Sequence, residues 1–343
     1  MASLSRRRFM KQTGIVSTAF FLPLSLNPFL NEKEMMNKKH VEVIVVGGSY
    51  SGLAAAMALG RALRNVLVID SGKPCNRQTP YSHNFLTQDG KKPKEIAGLA
   101  KQQVSLYDTV EFLDDLVTKA NKVENGFEVQ ITSGQIFFAN KLIFAAGIKD
   151  EIPDIKGFSE CWGISVLHCP YCHGYEVKSE ATGILGNGEY GFEFSKLISN
   201  WTKALTLFTN GKSTLTTEQA EMLERNHIRI EEKEIQELEH INGKLESILF
   251  KDGTKPSVQV IYSRLPFEQH CALPEELGCE LTADGYLKID ASQKTTIDNV
   301  FACGDNVSRM RTVANAVGMG TAAGMAVNKE LIEDKFDNKK NTK

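Results

Sequence analysis

The sequence predicts an α/β protein with two domains, because one pattern of strand, glycine-rich turn, helix and strand occurs twice. The first copy runs from the apolar, β-branched strand 41–46 to strand 66–69, which Asp70 closes. The second copy runs from strand 182–185 to strand 204–208. A chain of 343 residues, 42% hydrophobic and 24% charged, has the composition of a globular protein and the length of two domains.

The charge balance excludes some classes of partner. The formal net charge is −2 at pH 7, and the basic residues 6–8 and 11 stand in an N-terminal stretch without acidic residues, so the remainder is more acidic still. A mildly acidic body is not suited to nucleic acid or to an anionic membrane surface as its main partner.

The N-terminal residues 1–38 are predicted to be a leader separate from the fold. The string S-R-R-R-F-M-K at 5–11 is typical of a twin-arginine export signal, and the apolar stretch 14–26 that follows suits its hydrophobic region. A membrane-spanning helix needs about 20 apolar residues, so no transmembrane span is expected in the mature protein. We expect an exported, periplasmic protein; the alternative is a cytoplasmic protein with a basic tail.

The first glycine-rich turn predicts a dinucleotide site. Backbone N–H groups at a helix N-terminus, together with the helix dipole, favour a pyrophosphate, and glycines let it approach. Gly47, Gly48 and Gly52 provide the turn, with Ser49 in the place of the second glycine of the usual G-x-G-x-x-G pattern. Asp70 stands where a carboxylate binds a ribose hydroxyl.

The second turn predicts another dinucleotide site. Gly186, Gly188 and Gly191 fill all three glycine positions. Thr209 stands where the ribose-binding carboxylate is expected, and Lys212 follows in the same loop. A lysine without a nearby acid favours a 2′-phosphate, so the sequence favours NADPH over NADH.

The string Cys169-Pro170-Tyr171-Cys172-His173 predicts a redox site. Two cysteines at this spacing form a dithiol–disulfide couple, and His173 is a candidate base or thiolate partner. Zinc binding, which needs further ligands, and haem attachment at C-x-x-C-H are the alternatives. The other cysteines are isolated and are expected to be packing residues: Cys75, Cys161, Cys271, Cys279 and Cys303.

Between and after the two βαβ units, the pattern predicts helices 93–106 and 217–225 and strands 127–131, 135–138 and 141–145. Asn242-Gly243 predicts a hairpin turn. Proline-bearing stretches at 152–157 and 265–267 are predicted crossings, so residues 157–264 form a second domain inserted into a first domain of 41–152 and 267–332.

Two further segments have predicted roles. Strand 300–302 leads into Gly304-Asp305, and Gly318-x-Gly320 is expected to precede an alanine-rich helix that ends at Leu331. In the second βαβ unit, helix 192–201 carries apolar residues at helical spacing that are expected to be core packing: Phe194, Leu197, Ile198 and Trp201.

In their order and spacing, these motifs resemble the thioredoxin-reductase family of flavoproteins across nearly all of residues 40–332. The motifs that carry the resemblance are the first turn, Ala145-Ala146-Gly147, C-x-x-C, the second turn and F-A-C-G-D at 301–305. The resemblance implies two Rossmann-like nucleotide-binding domains, three-layer β-β-α, the second inserted into the first, and a homodimer. It implies that FAD is held by Gly47, Gly48, Ser49, Gly52, Asp70, Gln78, Asn84, Gly304, Asp305, Arg311, Thr312 and Val313. It also implies that NADPH, or NADH, is held by Gly186, Gly188, Gly191 and Lys212.

The resemblance also implies an activity, in which electrons pass from NADPH through FAD to Cys169–Cys172 and on to a thioredoxin-like protein or a small-molecule disulfide, with the domains rotating between half-reactions. Cys172 would face the flavin and Cys169 would attack the partner. The chain departs from the family in His173, where aspartate is usual, and in Phe208–Gly211, where an H-R-R-type segment is usual.

The C-P-Y-C-H-G-Y-E string is similar to a branch that includes dithiol oxidases acting on small natural products. A dithiol oxidase with oxygen as acceptor is therefore the alternative function. A non-catalytic, nucleotide-bound redox sensor is the third.

Overall fold

The computed structural model describes residues 39–338, so the predicted leader 1–38 lies outside the described residues. The strands, in chain order, are β1 Lys39–Val46, β2 Val66–Asp70, β3 Val110–Asp114, β4 Val117–Val123, β5 Gly126–Ile131, β6 Ile136–Phe144, β7 Ile148–Asp150, β8 Val166–Leu167, β9 Thr182–Leu185, β10 Leu205–Phe208, β11 Arg229–Glu231, β12 Ile235–Ile241, β13 Lys244–Phe250, β14 Val260–Ser263, β15 Phe267–Gln269 and β16 Val300–Ala302. The helices are α1 Tyr50–Arg61, α2 Pro93–Val104, α3 Phe158–Cys161, α4 Pro170–His173, α5 Gly188–Ile198, α6 Thr217–Arg225, α7 Leu273–Glu276 and α8 Val313–Asn338.

The first domain is built on a seven-stranded sheet. Its order is β3-β2-β1-β6-β5-β4, and β16 pairs with β6. Strands β1, β2, β3, β6 and β16 pair in parallel, whereas β4, β5 and the first half of β6 form an antiparallel meander. Apolar core residues pack against both faces of the parallel strands. The sequence of β1 is therefore an almost continuous apolar run.

The second domain is built on a five-stranded, wholly parallel sheet of order β11-β10-β9-β14-β8. The separate hairpin β12–β13 turns at Asn242 and Gly243, whose φ angles are 52° and 79°. Two successive positive φ angles are the geometry of the turn that an Asn-Gly pair favours, so the predicted hairpin is confirmed.

The chain crosses between the two domains through a short antiparallel ribbon. Strand β7, on the way out, pairs with β15, on the way back, and Phe267 lies opposite Asp150. The expected architecture, two Rossmann-like domains with the second inserted into the first, is thus observed.

Two element predictions differ from the structure. Residues 136–144 form one strand, β6, instead of two, because this strand pairs with β5 along its first half and with β16 along its second. Helix α8 begins at Val313, so Gly318 and Gly320 lie inside it. A Cβ on Gly320 would lie 2.0 Å from the carbonyl oxygen of Ser51, so the glycine allows α8 to pack closely against α1.

The packing predictions hold for some residues only. Ile198 is fully buried, but Leu197 is 37% exposed because its side of α5 faces a cavity instead of the core. Cys161, Cys279 and Cys303 are buried, whereas Cys75 is exposed, so the packing prediction for Cys75 was wrong. Among residues 39–338, no helix has both the length and the apolarity needed to cross a membrane.

Candidate active site

The first glycine-rich turn follows β1 and closes tightly on itself. Gly47 has φ +105°, and a Cβ there would lie 2.5 Å from the carbonyl oxygen of Ala145 at the end of the neighbouring strand β6. A Cβ on Gly52 would lie 1.8 Å from the carbonyl oxygen of Gly47. Both positions therefore require glycine, and the backbone is left without side chains on its outer surface.

The N-terminus of α1 is available to a ligand. Ser49 is the N-cap residue, and its side chain makes no capping hydrogen bond within residues 39–338. The backbone N–H of Gly48 donates to the Asp70 carboxylate at 3.0 Å, which fixes that carboxylate beside the turn. A bare helix N-terminus next to a strand-end carboxylate fits the pyrophosphate and the ribose of FAD.

A second carboxylate cluster lies after β16. Gly304 has φ +93°, and a Cβ there would lie 2.5 Å from Ser51 Oγ. Burial raises the pKa of Asp305 above its ordinary value, against the lowering influence of Arg311, whose Nε lies 3.7 Å from the carboxylate. Arg311 also donates two hydrogen bonds to Asp150 on β7. Thr312 and Val313 follow at the start of α8, where Thr312 Oγ1 accepts from the N–H of Asn315 at 3.2 Å.

Cys75 lies in the same cluster. Although the residue as a whole is exposed, its Sγ is 3.8 Å from Asp305 Oδ2; desolvation of the sulfur raises the pKa of the thiol to about 12, and the charge of Asp305 raises it further. The thiol is therefore protonated at neutral pH and is a poor nucleophile.

The two loop residues that the resemblance adds to the FAD site, Gln78 and Asn84, have different contacts within the protein. Asn84 adopts φ 58°, and its N–H donates to Asp89 Oδ1 at 2.7 Å, so it shapes the loop between β2 and α2. Gln78 lies against the second domain, because a Cβ on Gly163 would come within 3.1 Å of its side chain. Gln78 therefore lies at the boundary with the second domain, and its contact with FAD stays a prediction.

The redox segment, residues 168–176, holds a disulfide between Cys169 and Cys172, whose Cα atoms are 5.3 Å apart. Cys169 is the N-cap residue of the short helix α4, and the N–H of Cys172 points at the Cys169 sulfur at 3.2 Å. Tyr171 is 64% exposed and packs edge-on against Trp201, with the ring centroids 5.5 Å apart. Outside this bonded pair, residues 39–338 hold no group of three or more His, Cys, Asp or Glu side chains placed to bind a metal ion.

Two histidines flank the disulfide and favour their neutral forms. Burial lowers the pKa of His173 to about 4, and the charge of His83 lowers it further. Burial also lowers the pKa of His168 to about 3, with the Arg311 guanidinium as the second cause. Both imidazoles are therefore neutral at neutral pH, and a ring with so low a pKa is a weak base.

The second glycine-rich turn contacts side chains of its own domain. Asn187 Oδ1 accepts hydrogen bonds from the N–H groups of Gly188 and Thr214, both at 2.8 Å, and its Nδ2 donates to the Lys212 carbonyl at 2.9 Å. The Tyr190 ring covers Gly186, where a Cβ would lie 2.8 Å from the ring. Sequence patterns do not reveal this network, because the loop 209–214 meets the turn only in the folded chain.

The loop that includes Lys212 also faces an acid. Lys212 is exposed, and the N–H of its neighbour Ser213 donates to Glu232 Oε1 at 2.9 Å. A carboxylate at this position opposes a 2′-phosphate, so the loop does not have the basic character that the sequence indicated.

A cavity of about 560 Å³ lies between the two domains. Tyr190, Phe194 and Leu197 of α5 line one side, and Tyr286 and Arg309 of the first domain line the other. His168 and Arg311 also reach it, so the cavity connects the neighbourhood of the redox segment to that of the second turn.

Known proteins match this chain along most of its length. The family described as pyridine nucleotide-disulphide oxidoreductase matches residues 41–320. A thioredoxin reductase, tcpT, of Claviceps purpurea is 31% identical over 311 residues, which are 88% of this chain and 97% of the relative.

Solved structures match as well. The oxidoreductase from Agrobacterium tumefaciens is 35% identical with a TM-score of 0.80, covering 85% of this chain and 99% of its own. The putative thioredoxin reductase TrxB from Bacillus anthracis is 28% identical with a TM-score of 0.82. The match covers 86% of this chain and 99% of the TrxB chain. The family of these proteins uses FAD and NAD(P)H. The chain therefore belongs to the pyridine nucleotide-disulphide oxidoreductase family, in its thioredoxin-reductase-like group, and is a flavin-dependent disulfide oxidoreductase.

Proposed function

We propose that this enzyme passes electron pairs between NAD(P)H, FAD and the Cys169–Cys172 pair, and from that pair to a thioredoxin-like protein or a small-molecule disulfide. The observation that carries the proposal is the disulfide itself, on a segment that contacts the first domain through His83 and Glu176. The exposed rings of Tyr171 and Tyr175 beside the pair leave it accessible to a partner.

Different residues of the chain would bind the parts of FAD and exchange the proton. Gly47, Gly52 and the α1 N-terminus would bind the pyrophosphate of FAD, and Asp70 its ribose. Asp305, Thr312 and Val313 would bind the remainder of the cofactor. When bound, FAD supplies the two-electron step between the nucleotide and the disulfide. His173, which follows Cys172 in the chain, would be the group that exchanges a proton with the sulfur that becomes a thiol.

The second candidate is a dithiol oxidase, which takes electrons from a small dithiol through Cys169–Cys172 and FAD and delivers them to oxygen. The Asn187 network favours it, because the Gly188 N–H of the turn that would bind NAD(P)H donates to the Asn187 side chain, which also accepts from Thr214 of the neighbouring loop. A predicted export signal favours it too, since we know of no NADPH supply in the periplasm.

One titration separates the two candidates. The purified protein is expected to be yellow, and reduction with dithionite should expose two thiols per chain. Under anaerobic conditions, bleaching of the flavin by NADH or NADPH supports the reductase, whereas bleaching only by small dithiols supports the oxidase. A colourless protein that does not take up added FAD would contradict both.

We propose further that the enzyme is an exported homodimer, on the basis of the S-R-R-R-F-M-K string and the family resemblance. Cell fractionation, with Arg6 and Arg7 both changed to lysine as the comparison, tests the export. Sedimentation of the purified protein tests the dimer.

A further inference from the structure

The cavity between the two domains has the size of a ligand site. Its volume of about 560 Å³ lies within the range of small-molecule pockets, roughly 300–1,000 Å³. Of the residues that the sequence predicts to hold FAD or the nucleotide, Arg311 alone lines the cavity, and among the described residues that line it neither cysteine of the redox pair is present. The proposed function therefore leaves most of this cavity without a use.

Two pairs of aromatic rings line the cavity, one pair from each domain. Tyr190 and Phe194 on α5 belong to the second domain, and their ring centroids are 5.3 Å apart with the ring planes at 29°. Phe267 on β15 and Tyr286 belong to the first domain, and their ring centroids are 4.7 Å apart. Flat aromatic walls of this kind pack well against a planar, apolar ligand.

Three arginines also line the cavity, and one of them has no partner. Two are paired with carboxylates, Arg309 with Asp284 and Arg311 with Asp150. The third, Arg264, directly follows β14 and forms no ion pair or side-chain hydrogen bond with another residue of 39–338. Its guanidinium, which is charged at every physiological pH, is therefore available to a ligand.

Arg264 acts on both aromatic walls. Burial raises the pKa of Tyr190 and of Tyr286, and contacts with Arg264 act in the opposite direction on each ring hydroxyl. The acid that lines the cavity, Glu193, is already paired with Lys196 at 2.7 Å. The cavity thus combines flat apolar walls with a cation that has no counter-charge.

We propose that this cavity binds an aromatic carboxylate, with its ring between the two aromatic walls and its carboxylate on the Arg264 guanidinium. A guanidinium binds a carboxylate through two parallel hydrogen bonds, a geometry that an ammonium group does not provide. Because the walls belong to different domains, a bound ligand favours the arrangement in which the two walls face each other. The inference goes beyond the proposed function, since it does not depend on the path of the electrons.

Calorimetric titration of the oxidised holoenzyme with naphthoate tests the proposal, with naphthamide as the uncharged analogue. We expect Arg264→Gln to weaken naphthoate binding by roughly tenfold or more and to leave naphthamide binding nearly unchanged, because only the carboxylate uses the guanidinium. Arg264→Lys should recover part of the lost affinity. Arg229→Gln removes an exposed arginine of the same domain that does not line the cavity, and it should bind both compounds like the wild type.

The aromatic walls are tested with a second variant. Phe194→Leu keeps an apolar side chain but removes one ring, so it should weaken the binding of naphthoate and of naphthamide alike. A thermal melt of each variant shows whether the protein is folded under the conditions of the titration.

Three results would overturn the inference. Arg264→Gln and the wild type could bind naphthoate equally well, or the wild type could bind naphthamide as tightly as naphthoate. The third is displacement of naphthoate by NAD⁺ or NADP⁺, since the cavity would then be part of the nucleotide site. Failure of the proposed function is seen separately, in the flavin bleaching and the thiol count, because the calorimetric titration needs no electron transfer.

Discussion

Arg311 donates two hydrogen bonds to Asp150, at 2.7 and 2.8 Å, and this pair joins the loop before α8 to strand β7. The two side chains are 13% and 8% exposed. Strand β7 leads the chain into the second domain, and Arg311 also lies beside Asp305, so one guanidinium links the predicted FAD site to the crossing between domains.

Breaking this pair should be costly, because the remaining carboxylate would be buried without its partner. We predict that Arg311→Met lowers the free energy of unfolding by about 3–5 kcal/mol and weakens FAD retention. The exposed pair Arg309–Asp284 provides the control, since Arg309→Met should cost less than about 1 kcal/mol. Urea denaturation and flavin fluorescence measure both effects, and equal losses in the two variants would contradict the prediction.

The stability of the protein should fall as the pH drops below about 6.5. The pKa of His168 is about 3 in the folded protein and 6.5 in its ordinary state, so only the unfolded chain takes up the proton between these values. The stabilisation is therefore complete above pH 6.5 and is lost on acidification, at up to about 1.4 kcal/mol per pH unit. Urea unfolding at pH 7.5 and 5.0 measures the free energy of unfolding at each pH. Between these two values, the free energy of unfolding should fall less for His168→Gln than for the wild type. If the free energy of unfolding depended on pH equally in the variant and the wild type, the role of this histidine would be refuted.

Because the backbone of Gly47 lies close to Gly52 in the first turn, adding one methyl group at Gly52 should strongly weaken FAD binding. A Cβ on Gly52 overlaps the carbonyl oxygen of Gly47, so Gly52→Ala has to distort the turn. We expect its FAD affinity to fall by at least roughly 100-fold, measured by fluorescence titration. Gly98→Ala on α2 is the control, because its Cβ would meet no atom within 4 Å. A yellow Gly52→Ala protein with normal affinity would show that FAD does not bind at this turn.

Turnover should require Cys172 but not the isolated cysteines. We predict that Cys172→Ser keeps bound FAD and loses disulfide turnover, whereas Cys271→Ser, which is partly buried away from the redox pair, keeps its activity. Steady-state assays with the substrate found in the anaerobic titration measure this. Full activity of Cys172→Ser would instead support a nucleotide-bound redox sensor.

The Glu232 carboxylate beside the Lys212 loop predicts the choice of nucleotide. We expect NADH to reduce the flavin more efficiently than NADPH, and Glu232→Lys to shift the ratio toward NADPH roughly tenfold, or about 1.4 kcal/mol. Stopped-flow reduction with each nucleotide measures the ratio. Glu234→Lys makes the same charge change two residues away and should leave the ratio unaltered.

The sequence alone determined the elements whose signals are local. Apolar runs, glycine spacing and the Asn242-Gly243 pair predicted strands and turns correctly, because each depends on residues adjacent in the chain. The C-x-x-C string identified the disulfide for the same reason.

Only the tertiary structure decided which distant residues meet. Arg311 and Asp150 are separated by 161 residues, and His83 meets Glu176 across the domain boundary. These contacts depend on how two sheets and the β7–β15 ribbon pack, and no periodicity along the chain encodes that packing. The same holds for the second turn, where only the fold sets the Tyr190 ring beside Gly186 and joins the Gly188 N–H to the Asn187 side chain.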